Sequence, residues 1–264
     1  MRLAISNIAW TVEQDMQMYR LMKHMGYEGL EIAPTRIFTQ NPYENLEAAS
    51  QWQQELEREY GLCVPSMQSI WFGRQEKIFG NRQERELLVA YTKKAIDFAA
   101  AIGCKNLVFG CPRNRAIPEG VSKELAIPFF KELSAYAATK RTVIGMEANP
   151  PIYNTNYING TKSALELMGQ IGEKGFGLNL DVGTMICNQE DVEVLEGNAA
   201  GISHVHISEP GLKPIEKRSI HKELAAYLKE NGYSGFVSIE MGKQEVFEEA
   251  ALEDVMCYVK EIFG

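Results

Sequence analysis

The sequence predicts an α/β protein of the (β/α)8 type, a TIM barrel formed by one domain over residues 1–264. Three observations carry this expectation. Short apolar runs alternate with longer amphipathic stretches eight times at a mean step of ~33 residues, the rhythm of strand–helix units joined by right-handed crossovers. No Gly-x-Gly-x-x-Gly follows an early strand, so the open doubly wound sheet, which needs such a phosphate loop, is the weaker reading. No linker, low-complexity tract or charge block divides the 264 residues, a length at which barrels commonly form a single domain.

Leu3 to Trp10 reads as the first strand. Residues 12–25 carry helical periodicity, with Met16, Tyr19, Met22 and Met25 on one side, a stripe that packs rather than binds. Gly26 stops that helix. Gly29-Leu30-Glu31-Ile32-Ala33-Pro34 is the second strand, and a helix over about 43–60 ends at Gly61. Val64 to Phe72 is the third strand; a loop with Arg74, Lys77 and Arg82 leads to a helix from about Glu84 to Ile102. Asn106 to Gly110 is the fourth strand and Cys111 to Pro118 its loop. The next helix, about 121–139, contains Pro128, which predicts a kink or an early break. Thr142 to Glu147 is the fifth strand, followed by a long Asn-, Pro- and Tyr-rich loop. A helix over about 161–172 leads to the sixth strand, ending at Asp181, and 189–199 form a short helix. The seventh strand is centred on Ser203-His204-Val205-His206-Ile207-Ser208-Glu209-Pro210. A helix over 217–231 turns Leu224, Tyr227 and Leu228 inward, Phe236 to Glu240 is the eighth strand, and the last helix covers about 245–262. Gly26-Tyr27-Glu28-Gly29-Leu30 and Gly232-Tyr233-Ser234-Gly235-Phe236 echo one another at the same helix-to-strand passage.

Composition narrows the function classes. With 45% hydrophobic and 23% charged residues the chain is globular, and its net charge of -8 argues against a nucleic-acid or membrane-surface partner. A small-molecule site is not constrained by that charge. The five cysteines are scattered and form no Cys-x-x-Cys pair, which predicts reduced thiols and a cytoplasmic location. The first apolar segment is soon interrupted by Asn7 and Glu13, unlike a signal peptide, and no apolar run approaches the ~20 residues of a membrane span. A homo-oligomer is compatible with all of this.

The chemistry concentrates at the ends of the last four strands. Residues i and i+2 of a strand share a face, so His204 and His206 point the same way. Three further apolar runs end on an acid: Val143-Ile144-Gly145-Met146-Glu147, Gly177-Leu178-Asn179-Leu180-Asp181 and Phe236-Val237-Ser238-Ile239-Glu240. Barrel active sites lie at the C-terminal strand ends. Three carboxylates gathered there repel one another unless a cation joins them. Glu147, Asp181, His206 and Glu240 are therefore candidate ligands of one divalent metal ion. Oxygen-rich ligation with one imidazole suits Mn²⁺ or Mg²⁺, with Co²⁺ or Zn²⁺ also compatible. His206 is preferred over His204 because it lies nearer the strand end; His204 is a supporting or core residue. His24 and His221, on helices, are expected at the surface.

These residues carry a resemblance. Met146-Glu147-Ala148-Asn149-Pro150, Leu180-Asp181-Val182-Gly183-Thr184, the His204–Pro210 run and Ser238-Ile239-Glu240 resemble the motifs of the xylose isomerase-like barrel superfamily, in its sugar phosphate isomerase/epimerase branch. Phe109-Gly110-Cys111-Pro112-Arg113-Asn114-Arg115 and Ser66-Met67-Gln68-Ser69 are similar to that branch's strand-four and strand-three ends. The resemblance implies a metal-dependent isomerase or epimerase of a sugar or sugar phosphate, related to the ketose 3-epimerases. It implies that Glu147 and Glu240 flank the substrate as an acid/base pair, one removing a proton to give an enediolate and the other returning one. The chain departs from the ketose 3-epimerase pattern at Thr184, where those enzymes carry His, and at Lys213, where they carry Arg. That points away from a free-ketose 3-epimerase and toward another isomerase or epimerase of the branch.

Gln68, Arg113, Arg115, Asn149, Glu209 and Lys213 fall in the expected C-terminal loops and are candidate substrate contacts. Arg115 offers a planar fork for a phosphate or carboxylate, and Glu209 could position Lys213 or a substrate hydroxyl. Trp10, Trp71 and Phe72 are candidates for an apolar wall or for core packing. Three other readings compete. A keto-polyol dehydratase would use the same proton abstraction. A sugar-binding barrel without catalysis would not need two flanking acids. A phosphodiesterase like the apurinic endonucleases implies three metals and many histidines, against the four histidines and acidic charge here.

Overall fold

The computed structural model describes residues 1–264. Its eight strands are β1 (Arg2–Ser6), β2 (Gly29–Glu31), β3 (Ser66–Met67), β4 (Asn106–Phe109), β5 (Val143–Glu147), β6 (Phe176–Asp181), β7 (Ile202–Ser208) and β8 (Phe236–Glu240). They pair in the order β2-β1-β8-β7-β6-β5-β4-β3, always in parallel. The ends of this sheet meet: Ile32 N donates to Ser66 O at 3.2 Å and Gln68 N to Ile32 O at 2.8 Å, so β2 and β3 close the ring. The architecture is a TIM barrel, as its sequence rhythm predicts.

Helices join the strands: α1 (Asp15–Met25), α2 (Pro34–Ile37), α3 (Leu46–Tyr60), α4 (Arg82–Ala101), α5 (Ala126–Thr139), α6 (Thr161–Ile171), α7 (Val182–Asn188), α8 (Ser219–Glu230) and α9 (Glu249–Phe263). Their limits follow local chemistry. Asn81 accepts from Glu84 N while the Glu84 carboxylate returns to Asn81 N, a capping box that starts α4. Gly26 and Gly61 end α1 and α3 at φ 75° and 71°, a conformation that costs other residues about 1 kcal/mol or more.

Some expectations need correction. β1 stops at Ser6 and β3 covers only Ser66–Met67, because turns take over on either side. Of the two outcomes expected at Pro128, the break is found and not the kink: Lys123–Leu125 form a separate 3-10 turn and α5 begins at Ala126, so the proline lies in the first turn, where an N–H has no intrahelical partner. Residues 189–199 hold only short 3-10 turns, whereas α7, not anticipated, starts immediately after β6 with Asp181 as its cap. On α1, Met16 is exposed while Met18 takes a core place beside Tyr19, Met22 and Met25. His221 is buried, with Nδ1 2.9 Å from the Tyr258 hydroxyl, and burial lowers its pKa to about 4.

The barrel strands alternate in an unusual sense. Val205, Ile207, Val237 and Ile239 face the helices and are fully buried, each stabilising the fold by about 1.5–3 kcal/mol. The intervening residues face the barrel lumen and are polar. Asn106 of β4 reaches across to Asn179 of β6 at 3.2 Å and accepts from Ser203 of β7 at 2.8 Å. Gln68 donates to Ser6 of β1 at 2.8 Å. Such contacts between non-neighbouring strands are possible only inside the ring. No helix is long and apolar enough to cross a membrane, and all five cysteines are unpaired.

Candidate metal centre

Strand register assembles the site. Asp181 pairs with His206, Ser208 with Glu240, and Glu147 with Asn179. Glu147 and Glu240 are thus each offset by two residues from the Asp181–His206 pair, and the strand stagger of a closed barrel brings one ligand atom each from Glu147, Asp181, His206 and Glu240 within 4.8 Å of the others. His206 Nδ1 is 3.0 Å from Glu147 Oε1 and 3.2 Å from Glu240 Oε2. The group opens on a cavity of about 170 Å³ that Glu147, Asp181 and Glu240 line together with Gln68, Asn149, Tyr153 and Glu209.

Each carboxylate has a distinct setting. Glu147 Oε1 accepts from Asn179 Nδ2 at 3.2 Å and Oε2 from Asn149 Nδ2 at 3.0 Å. Gly110 makes room for it: a methyl group there would sit 2.6 Å from Glu147 Oε2. Asp181 accepts from Thr184 N at 2.6 Å and from the Ser208 hydroxyl. Burial, with the Glu147 charge added, pushes its pKa up to about 6. Burial also pushes Glu240 up to about 7; His206 opposes the shift and Glu147 and Asp181 add to it. Burial disfavours a charged His206, yet Glu240, Glu31 and Glu147 together hold its pKa well above the usual imidazole value. The donor set fits a divalent cation: it offers one imidazole and three carboxylates whose mutual repulsion such an ion would relieve.

The family model described as xylose isomerase-like TIM barrel matches residues 19–261. The chain belongs to that family. Among solved structures of this barrel, 3-keto-D-glucoside 4-epimerase, YcjR, from E. coli is 20% identical, with a TM-score of 0.77 over 99% of both chains. D-psicose 3-epimerase from Clostridium cellulolyticum H10 is 14% identical, with a TM-score of 0.81 over 100% of this chain and 99% of the other. The IOLI protein with a bound zinc atom is 18% identical, with a TM-score of 0.69 over 99% of this chain and 96% of that one. No curated protein is matched by this sequence.

Within this xylose isomerase-like barrel, the candidate substrate contacts divide. Gln68, Asn149 and Glu209 line the cavity. Arg115 does not: it is fully buried behind the site. It donates to Glu147 O at 2.8 Å, to Asn149 Oδ1 at 2.9 Å and to Ile158 O at 3.3 Å. The fork expected to hold a substrate anion instead holds the loop after β5. Arg113 and Lys213 are exposed and outside the cavity lining. Glu209 is paired bidentately with Arg218, not with Lys213, at 2.7 and 2.6 Å. Thr184 is buried and gives its hydroxyl to Ala148 O at 2.7 Å, so α7 sends no polar side chain into the cavity from that position. Trp10 and Trp71 are core residues, and Phe72 is 70% exposed.

Two lumen residues escaped the sequence reading. Asn179 holds Glu147, and its place two residues before Asp181 in a strand was a usable signal. Glu31 ends β2, fully buried, 2.9 Å from His206 Nε2. Gly29-Leu30-Glu31 repeats the pattern of an apolar strand closed by an acid.

Proposed function

We propose that this protein is a divalent-metal-dependent isomerase or epimerase acting on a sugar or sugar phosphate. The observation that carries the reading is the meeting of Glu147, Asp181, His206 and Glu240 within 4.8 Å, with the three carboxylates lining one small cavity. Two carboxylates alone could serve a hydrolase or a binding protein; two carboxylates sharing an imidazole and a third acid suit metal-assisted proton transfer. The fold is shared with proteins named as sugar epimerases and with one holding zinc, which supports the same reading.

In this proposal Glu147, Asp181, His206 and Glu240 hold the ion. When bound, Mn²⁺, Mg²⁺, Co²⁺ or Zn²⁺ would supply Lewis-acid stabilisation of the oxyanion that develops as a proton leaves. The chain does the rest. Glu240, which lines the cavity from the end of β8, would take the proton α to a carbonyl. Glu147, reached from β5 with β6 and β7 between, returns a proton to the same or the neighbouring carbon. Gln68, Asn149 and Glu209 line the space where hydroxyls of a polyol would lie. With Thr184 turned away and Lys213 outside, the cavity lacks the His and Arg of a ketose 3-epimerase, which favours another carbonyl sugar.

The test is solvent exchange. The metal-loaded protein is incubated in D₂O with a panel of keto-sugars and keto-sugar phosphates and followed by proton NMR. Deuterium entering one carbon of a panel member, with an epimer or isomer forming, supports the proposal. Exchange accompanied by loss of water would make the protein a dehydratase, and binding without exchange would make it a sugar-binding barrel.

A further inference from the structure

We propose that Glu31 is a positioning residue for His206: it fixes the ring's tautomer and rotation so that Nδ1, not Nε2, faces the four-residue cluster. The inference rests on the reading of His206 as a metal ligand. It adds a residue from the opposite side of the barrel that none of the motifs at β5 to β8 contains.

Glu31 and His206 sit on β2 and β7, which are not neighbours in the ring, so their contact crosses the lumen. Both are fully buried. Glu31 Oε2 lies 2.9 Å from His206 Nε2. With an ion bound the ring is neutral and has one N–H, and a carboxylate oxygen 2.9 Å from Nε2 accepts that proton there. The ring's other edge then offers its lone pair at Nδ1, toward Glu147 Oε1 and Glu240 Oε2. A hydrogen bond from the far nitrogen of a ligating imidazole to a carboxylate sets ring orientation and raises ligand basicity.

Glu31 is itself held. Gln68 Nε2 donates to Glu31 Oε1 at 3.0 Å and to Ser6 Oγ at 2.8 Å, which fixes the plane of the carboxylate. The His204 ring stands at 90° to that of His206 with centroids 5.4 Å apart. Its Nε2 is 3.0 Å from the same Oε2, so both rings close on that carboxylate oxygen. This assigns His204 a place: it keeps Glu31 against His206.

A rival assignment is a second ion held by Glu31, His204 and His206, whose ligand atoms are also close enough. The chemistry disfavours it. The trio carries one formal negative charge, none of its members lines the cavity, and His206 would have to give both ring nitrogens to cations.

The test compares the full-length parent with Glu31→Gln, which keeps the size of the side chain but sets an amide N–H against Gln68 or an imidazole. Mn²⁺ affinity is measured by competition with a chelator, and folding by circular dichroism. The expected result is one Mn²⁺ per parent chain and binding weakened about 10–100-fold in the folded variant. Equal affinity in the two overturns the inference. Two equivalents lost together from the variant also overturn it, in favour of a second ion. A parent that binds no Mn²⁺, Co²⁺ or Zn²⁺ removes the proposed function and this inference with it, which distinguishes that failure from the failure of Glu31 alone. A second readout needs no variant. In the ¹⁵N-histidine-labelled parent loaded with Zn²⁺, His206 should carry its proton on Nε2, and a proton on Nδ1 contradicts the proposal.

Discussion

Glu147 and Glu240 end two strands of one barrel and face one cavity, but they are held differently. Glu147 has Asn149, Asn179 and His206 on its two oxygens, with Arg115 bracing Asn149 from behind. Glu240 has one polar contact, His206 Nδ1 at 3.2 Å. A carboxylate fixed by several donors stays where it is; one with a single contact is freer to turn and to exchange a proton. In the proposed mechanism both carboxylates move a proton, Glu147 from a fixed position and Glu240 from a freer one.

The largest expected effect breaks the comparison at Glu240. Glu240→Gln should reduce solvent deuterium exchange about 10²–10⁴-fold, the range for loss of a general acid or base. An unchanged exchange rate would remove Glu240 from the chemistry. Next comes pH. The folded pKa of Glu240, raised from 4.5 to about 7, means that the metal-free folded chain keeps a proton that the unfolded chain releases. Its stabilising contribution is present below pH 4.5 and is lost as pH rises through 7. Urea unfolding of metal-free protein at pH 5 and pH 8 should show this loss together with that of Asp181, raised to about 6, and Glu240→Gln should lessen it without abolishing it.

A smaller effect sharpens the comparison from the other side. Gly110→Ala intrudes on Glu147 and leaves Glu240 untouched; a cost of about 1–3 kcal/mol in stability and weaker Mn²⁺ binding are expected. Wild-type affinity in that variant would mean that Glu147 does not need its fixed position. Smallest of all, Arg113→Ala and Lys213→Ala should each change stability by less than about 0.5 kcal/mol and leave metal affinity as it is, since both are exposed and away from the cavity lining.

How far the sequence reached depended on whether a signal was local. Glu147, Asp181, His206 and Glu240 were legible because each ends an apolar strand, and parallel register then brings the four together. Glu31 shows the same local pattern, but its relation to His206 exists only across the lumen, between strands that do not pair. Arg115 misleads for a related reason. Its place after β4 suggests an exposed clamp, and only the return of the loop after β5 to Ile158 shows where its donors go. The barrel itself was legible from eight repeated units. The loss of most of β3 to turns and the short α7 were not, since such brief elements give too few residues for a period to appear.

The most direct test of the four-strand centre is metal analysis of the purified protein after dialysis against chelator and reloading with Mn²⁺, run beside His206→Ala. The account predicts about one tightly held ion per parent chain and none in the variant. A folded parent that holds no ion, or a variant that holds it as well as the parent, would contradict it.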